Sequence, residues 1–383
     1  MRLRPTLIAL SLAFALPQAQ AETVTAERVA QHYAALVQAS YDDTLAAAQD
    51  MQRAIEAFNA APSQATLDTA RQKWRDAREF YGQTEVFRFY GGPIDDEGGI
   101  EGRLNSWPLD ESYVDYVEGR PGNGFINDRR FKISKANIAR MNERGGEENI
   151  SAGWHAIEFL LWGQDMREDG AGTRSFEDFV DGKGANAQRR RQYLQVVTEL
   201  LVDDLASLAR EWTANGNNYR ARFSQQGQEA VRKIIVGMGS LSRGELAGER
   251  LEVPMASQDQ EDEQSCFSDN THRDTVNNAL GIRNVWLGEY QRRDGSRLQG
   301  PGIRDLVAAA NPQLAEKTGA QIETSLKSAE AIQAPFDREI IGDESAPGRQ
   351  RVQATIDSLT AQSKLLIESA SAIGIQQLTL VDP

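Results

Sequence analysis

The residues best suited to chemistry lie in one short run, Gly153-Trp154-His155-Ala156-Ile157-Glu158-Phe159-Leu160-Leu161-Trp162. His155 and Glu158 are three apart, so a helix places both side chains on one face. The other residues of the run are apolar or glycine, and a helix that is apolar all round is a buried one. A carboxylate buried alone is costly, and a charged pair without further partners is little better. Two arrangements satisfy such a pair. One is a structural His–Glu hydrogen bond. The other is a metal ion, for which neutral imidazole and carboxylate are common ligands. Glu-x-x-His on bundle helices holds di-iron centres, and the order here is reversed. Spacing alone leaves the structural and the functional reading level. Gly153 either admits another backbone or a ligand at close range or simply ends the preceding loop.

A second cluster runs from Asp259 to His272, with five carboxylates and the histidine. Asp269 or Asn270 caps the helix that follows. The cluster could supply further ligands, and a solvated acidic loop accounts for it equally well. His32, on the polar side of the first helix, reads as a solvated surface residue. Cys266 is the single cysteine. It excludes an internal disulfide, leaves stability to packing, and reads as a buried thiol beside Phe267. His-Glu-x-x-His, Gly-x-Ser-x-Gly, phosphate-loop and Cys-x-x-Cys motifs are absent. The chain carries 42 basic and 56 acidic residues, a formal net charge of −14. That balance argues against nucleic acid and anionic membrane surfaces as partners.

The elements that must position these residues are helices. A basic start, an apolar run from Thr6 to Leu16 and Ala19-Gln20-Ala21 form a signal peptide over 1–21, which predicts export. Its apolar run is too short to span a bilayer, and no later segment reads as a span. Apolar residues then recur at helical spacing: Val29, Tyr33, Leu36, Met51, Ile55 and Phe58 before Pro62, and Leu67, Trp74, Ala77 and Tyr81 in a helix over 63–90. The Gly-rich stretch from 91 to about 125 reads as a long ordered loop. Helices are predicted over 128–143, from Ile150 to Trp162, 187–214, 219–246 and 271–292, with two more in the last third. The pattern predicts an all-α protein of two packed helical bundles, 22–215 carrying His155 and Glu158, and 216–383. Trp74 to Tyr90 and Asn277 to Tyr290 faintly echo each other, each an aromatic-ended helix before a Gly/Pro loop, as a duplication would leave.

Gly153-Trp154-His155-Ala156-Ile157-Glu158 resembles the Gly-x-His-x-x-Glu motif of the imelysin-like proteins, also grouped as the M75 peptidases. Asn105 to Leu109, Gly244 to Arg250, Glu261 to His272 and Gly281 to Gly288 are similar to family segments and stand in family order, so the resemblance covers nearly all the mature chain. It implies two bundles derived by duplication, with the motif near their interface, in the bacterial periplasm or at the outer membrane. It implies a role in iron uptake: binding of iron, haem or an iron complex between the bundles, with envelope iron-uptake proteins as partners. His155 and Glu158 would be the metal ligands, with iron favoured over zinc. Arg88, Glu101, Asp269 and His272 are the candidates to complete the site. The alternative is an M75-type metallopeptidase, in which Glu158 would ligate the metal or act as general base on its water. The pattern lacks the second histidine of a standard zinc peptidase.

Overall fold

The computed structural model describes residues 24–167, 169–376 and 378–380. The expected signal peptide lies outside the described residues. The rest is all-α, apart from one two-stranded hairpin among the described residues.

Helix α1 (Ala26–Ala60) starts where the Thr25 hydroxyl accepts from the Arg28 N–H at 3.3 Å. It buries Val29, Tyr33, Leu36, Met51, Ile55 and Phe58, the face its spacing predicts. Ser63 opens α2 (Gln64–Tyr81) with a reciprocal cap to Thr66. α2 does not run on to Tyr90. The Thr84 hydroxyl donates to the Tyr81 carbonyl at 2.7 Å, three residues back, and the chain tightens into a 3₁₀ segment, Gly82–Phe87. Helix α3 (Gly153–Trp162) has all ten residues buried. α4 is Ala187–Glu211 and α5 is Gln228–Ser240.

After α5 the backbone widens into a π-helix, Leu241–Glu252. Then come α6 (Thr271–Leu287), α7 (Pro312–Ala331) and α8 (Pro347–Ala372). The helix expected to reach 292 stops at Leu287, because Gly288 turns left-handed at φ +67°. The chain goes on into β1 (Glu289–Gln291) and β2 (Arg297–Gln299), with Tyr290 opposite Leu298. The helix expected over 128–143 shrinks to Lys135–Met141, capped by Ser134. The long loop is ordered as expected: Leu104, Val114 and Ile126 are fully buried, and Phe125 stacks on Phe131. His32 is half-buried rather than solvated, with Nε2 at 2.8 Å from the Gly288 carbonyl.

α1 packs on α2 and α4, and α3 packs on α2 and α4. α7 packs on α8 and α6, while α8 also covers α5 and the π-helix. One continuous buried cluster runs from Val29 to Ile375 through both groups. The two echoing segments meet where they join. A Cβ on Gly82 would stand 2.7 Å from the Asn277 Cβ, and one on Gly281 would stand 2.5 Å from the Gln83 carbonyl. That closeness lets the Asn278 side-chain amide donate to the Gly82 carbonyl at 3.0 Å. Among the described residues no helix is long and apolar enough to cross a membrane.

Candidate functional site

Gly153 starts α3 with φ +82°, and a Cβ there would stand 2.4 Å from the Leu104 carbonyl. The residue that approaches it is thus protein backbone, from the Gly-rich loop. This fixes α3 so that His155 and Glu158 face inward, 2% and 0% exposed. His155 Nδ1 is 2.8 Å from Glu158 Oε2. Glu158 Oε1 accepts two bonds from Ser268, 2.9 Å from its N–H and 2.6 Å from its hydroxyl. Both carboxyl oxygens are therefore engaged. His155 Nε2 is buried and has no hydrogen-bond partner.

Burial pushes Glu158 up to about 8, against the two Ser268 bonds that favour its charged form. Burial, with the nearby Arg78 charge, pulls His155 down to about 3. Both shifts favour an uncharged pair at neutral pH. Arg78, 1% exposed, is itself tied to Asp274 at 2.9 Å and to the Asn105 amide oxygen at 2.6 Å. Its guanidinium lies against the Trp74, Tyr81 and Trp154 rings. Ser268 links the pair to the surface. That residue clamps Glu158 and also lines a surface cleft of about 620 Å³, with Arg75, Glu79, Asp269, Asn270 and His272 around it.

The predicted companions fall into two places. Asp269 and His272 stand together in that cleft, with His272 Nδ1 3.1 Å from the Asp269 carbonyl. Arg88 and Glu101 belong to a separate buried network. Arg88 pairs with Glu101 at 3.3 Å, Glu85 at 3.0 Å and Glu245 at 3.1 Å. Arg250 pairs with the same Glu85 and, at 2.5 Å, with Glu245. The π-helix makes the last pair possible. Residues five apart stand about 140° apart round an α-helix, whereas i→i+5 bonding brings them close to one face. Among the described residues, the ligand-type side chains gathered in a group of three are Asp165, Asp269 and Asp337, and His155 is not one of them. The pair at α3 therefore offers a metal one ring nitrogen, and further donors must come with the metal.

The imelysin (M75 peptidase) family profile matches residues 37–366. The chain belongs to the imelysin family. This imelysin-family chain is 26% identical over 309 residues to iron-regulated protein A of Synechococcus elongatus, which spans 78% of this chain and 73% of that protein. Its fold is similar to that of a structure described as an iron-regulated protein A precursor from Parabacteroides distasonis, with TM-score 0.70, 18% identity, and coverage of 94% of this chain and 98% of that one. It is also similar to an imelysin-like protein of Psychrobacter arcticum, with TM-score 0.65, 12% identity, and coverage of 92% and 97%.

Sequence reasoning missed Ser268, Arg78, Asp274 and Asp337 as individual residues. Ser268 sits inside the family-like segment Glu261 to His272, as Glu245 and Arg250 sit inside Gly244 to Arg250, so the segments carried a signal that single residues did not. Asp337 lies in no segment the sequence reading singled out.

Proposed function

We propose that this chain is an exported iron-uptake protein of the cell envelope that holds iron, as an ion or within a complex, with His155 as its protein ligand. One observation carries the reading: His155 Nε2 is buried without a partner while Nδ1 faces a carboxylate that Ser268 locks in place. Metal-binding histidines characteristically direct their second nitrogen at such a carboxylate, which sets the tautomer and the ring's orientation. Glu158 then acts as the positioning residue. To ligate the metal directly it would have to give up a bond to Ser268 or to His155. In the uncharged pair, the Glu158 acid donates to Nδ1 and Nε2 keeps its own hydrogen. Loss of that hydrogen lets Glu158 pass its proton to Nδ1 and leaves the Nε2 lone pair free. One proton leaves per site, so affinity rises with pH towards about 8, where Glu158 ionises.

The name of the Synechococcus relative supports iron as the metal. The word precursor in the description of the Parabacteroides structure supports export, as does the signal peptide read over 1–21. A ring packed to 2% exposure suits a small ion or a donor-bearing iron complex better than a haem plane. A zinc peptidase would bring three protein ligands, and the arrangement offers one, so the binding reading is preferred.

The test compares mature wild type with His155→Ala. Bound iron and zinc are measured by mass spectrometry, then ferrous ion and ferric citrate are titrated, with circular dichroism as the fold control. Iron held by wild type and lost in the variant, with helicity unchanged, is the expected result. Wild type that takes up no iron in either form sinks the reading. Metal-dependent cleavage of an unfolded protein, lost in both His155→Ala and Glu158→Ala, would replace it with the peptidase.

A further inference from the structure

A second site stands apart from His155 and does not depend on the reading of that residue. Asp165 lies in the loop after α3, Asp269 just before α6, and Asp337 at the start of the short helix Asp337–Ile340. One carboxylate oxygen from each lies within 4.8 Å of the other two. The three residues are 2%, 9% and 3% exposed. Asp165 Oδ1 accepts from the Arg167 N–H at 3.0 Å, but its Oδ2 is buried with no partner, as is Asp269 Oδ1.

A fourth residue makes the same point independently. Glu263, 1% exposed, has no cation beside it: the groups that act on its buried carboxyl are Asp337, Asp269 and the Thr271 hydroxyl. Among the described residues, no lysine or arginine forms an ion pair with Asp165, Asp269 or Glu263. Arg75, the cation closest in influence to Asp269, donates to the Ser268 carbonyl at 3.1 Å. Buried carboxylates without cationic partners are costly, and here several share one space.

We propose that Asp165, Asp269 and Asp337, with Glu263 beside them, form a binding site for a hard divalent cation of the calcium class. All the donors are oxygens, which selects calcium-like ions over zinc or copper. Two oxygens each ~2.4 Å from a calcium ion can stand up to ~4.8 Å apart, so the carboxylates need little movement to close on one. Water and the ion have routes in from both sides. Asp269 lines the 620 Å³ cleft, while Asp165 and Asp337 line a second cavity of about 470 Å³ on the surface. The cation would tie the loop after α3, the segment before α6 and the start of the Asp337 helix into one unit. It would also hold Asp269 at its left-handed φ of +53°, next to the serine that clamps Glu158.

The experiment uses the full mature chain, stripped with chelator and titrated with calcium chloride by calorimetry and by thermal melting. One equivalent of calcium binds and raises the melting temperature. Asp165→Asn and Asp337→Asn each weaken binding at least tenfold, while His155→Ala binds calcium like wild type. The asparagine variants lose charge repulsion and keep side-chain volume, so they fold. Should either fail to, the wild-type titration still decides. No calcium heat and no melting shift in wild type overturns the site, as does binding unchanged in both asparagine variants. Ferric ion binding at these carboxylates in place of calcium overturns the assignment of cation class. Loss of calcium binding in His155→Ala overturns the separation of the two sites.

Discussion

Two buried acidic clusters in this protein are matched in burial and opposite in electrostatics. In the network at the π-helix, burial raises Glu85, but Arg250 and Arg88 outweigh it and hold the carboxyl down at about 2. Glu245 is held low by the same two arginines. In the cluster of Asp165, Asp269 and Glu263, burial acts without such partners. It pushes Asp165 up to about 6, Asp269 to about 8 and Glu263 well above its ordinary range, with neighbouring carboxylates adding to the rise. Burial alone thus says little about a carboxylate's task. What separates a lock from a receptor is whether the protein supplies the cation. In the first cluster the chain supplies two arginines that hold Glu85 and Glu245 low, and only Glu101, at its more exposed edge, is pushed up by burial to about 7. The second is complete only with an ion from outside.

The widest test of that contrast is Arg250→Met. It strips Glu85 and Glu245 of a shared partner and should destabilise the fold by about 3–5 kcal/mol in urea denaturation. A loss below ~1 kcal/mol would mean the network is no lock. Gly153→Ala tests the scaffold of the histidine centre. Forcing a Cβ towards the Leu104 carbonyl at positive φ should cost at least ~1–3 kcal/mol by the same measurement, and an unperturbed variant would show that α3 can shift. Glu158→Gln keeps the shape and removes the charge. It should weaken iron binding about 10–100-fold and flatten its rise with pH, as read by titration from pH 6 to 9.

The smallest effect is the shape of the pH–stability curve of cation-free protein. Glu85 has a folded value below its unfolded 4.5, so its contribution is present above 4.5 and lost as pH falls towards about 2. Asp269 has a folded value above its unfolded 3.8, so its contribution is present below 3.8 and lost as pH rises towards about 8. Chelated wild type should therefore lose stability from pH 4 to 8 more steeply than Asp269→Asn, and calcium should close the gap. Parallel curves without calcium would erase the distinction between the clusters.

The helices were legible because their apolar residues keep helical spacing, and α1 buries the face that spacing marks. His155 and Glu158 were legible for a related reason: two ionisable groups in an otherwise apolar helix have nowhere to go but inward. The rest depends on contacts that no local pattern encodes. The tightening after Tyr81 hangs on one hydroxyl bond from Thr84. Asp165 and Asp337 meet although 172 positions separate them, one in a loop and one at the start of a four-residue helix, neither in a pattern that marks a site. Arg88 and Glu101 were singled out as partners of the histidine centre; they pair with each other, and the Glu245–Arg250 pair in the same network follows from a change of helix type. A helical wheel drawn for the usual turn would have set Glu245 and Arg250 on different sides.

That change of helix type has a consequence for how this stretch can vary. In the π-helix, Glu245 and Arg250 answer to each other because of the count of residues between them, four, as much as because of their chemistry. Substituting the intervening residues leaves the phase intact. Removing one while the wider winding holds would turn Arg250 away from Glu245 and out of reach of Glu85 and Asn278 across the core; only a full return to ordinary winding, where residues four apart share a face, would keep the pair. Chain length behaves here like a side chain: between 245 and 250 the protein is sensitive to deletion in the way most of its surface is not.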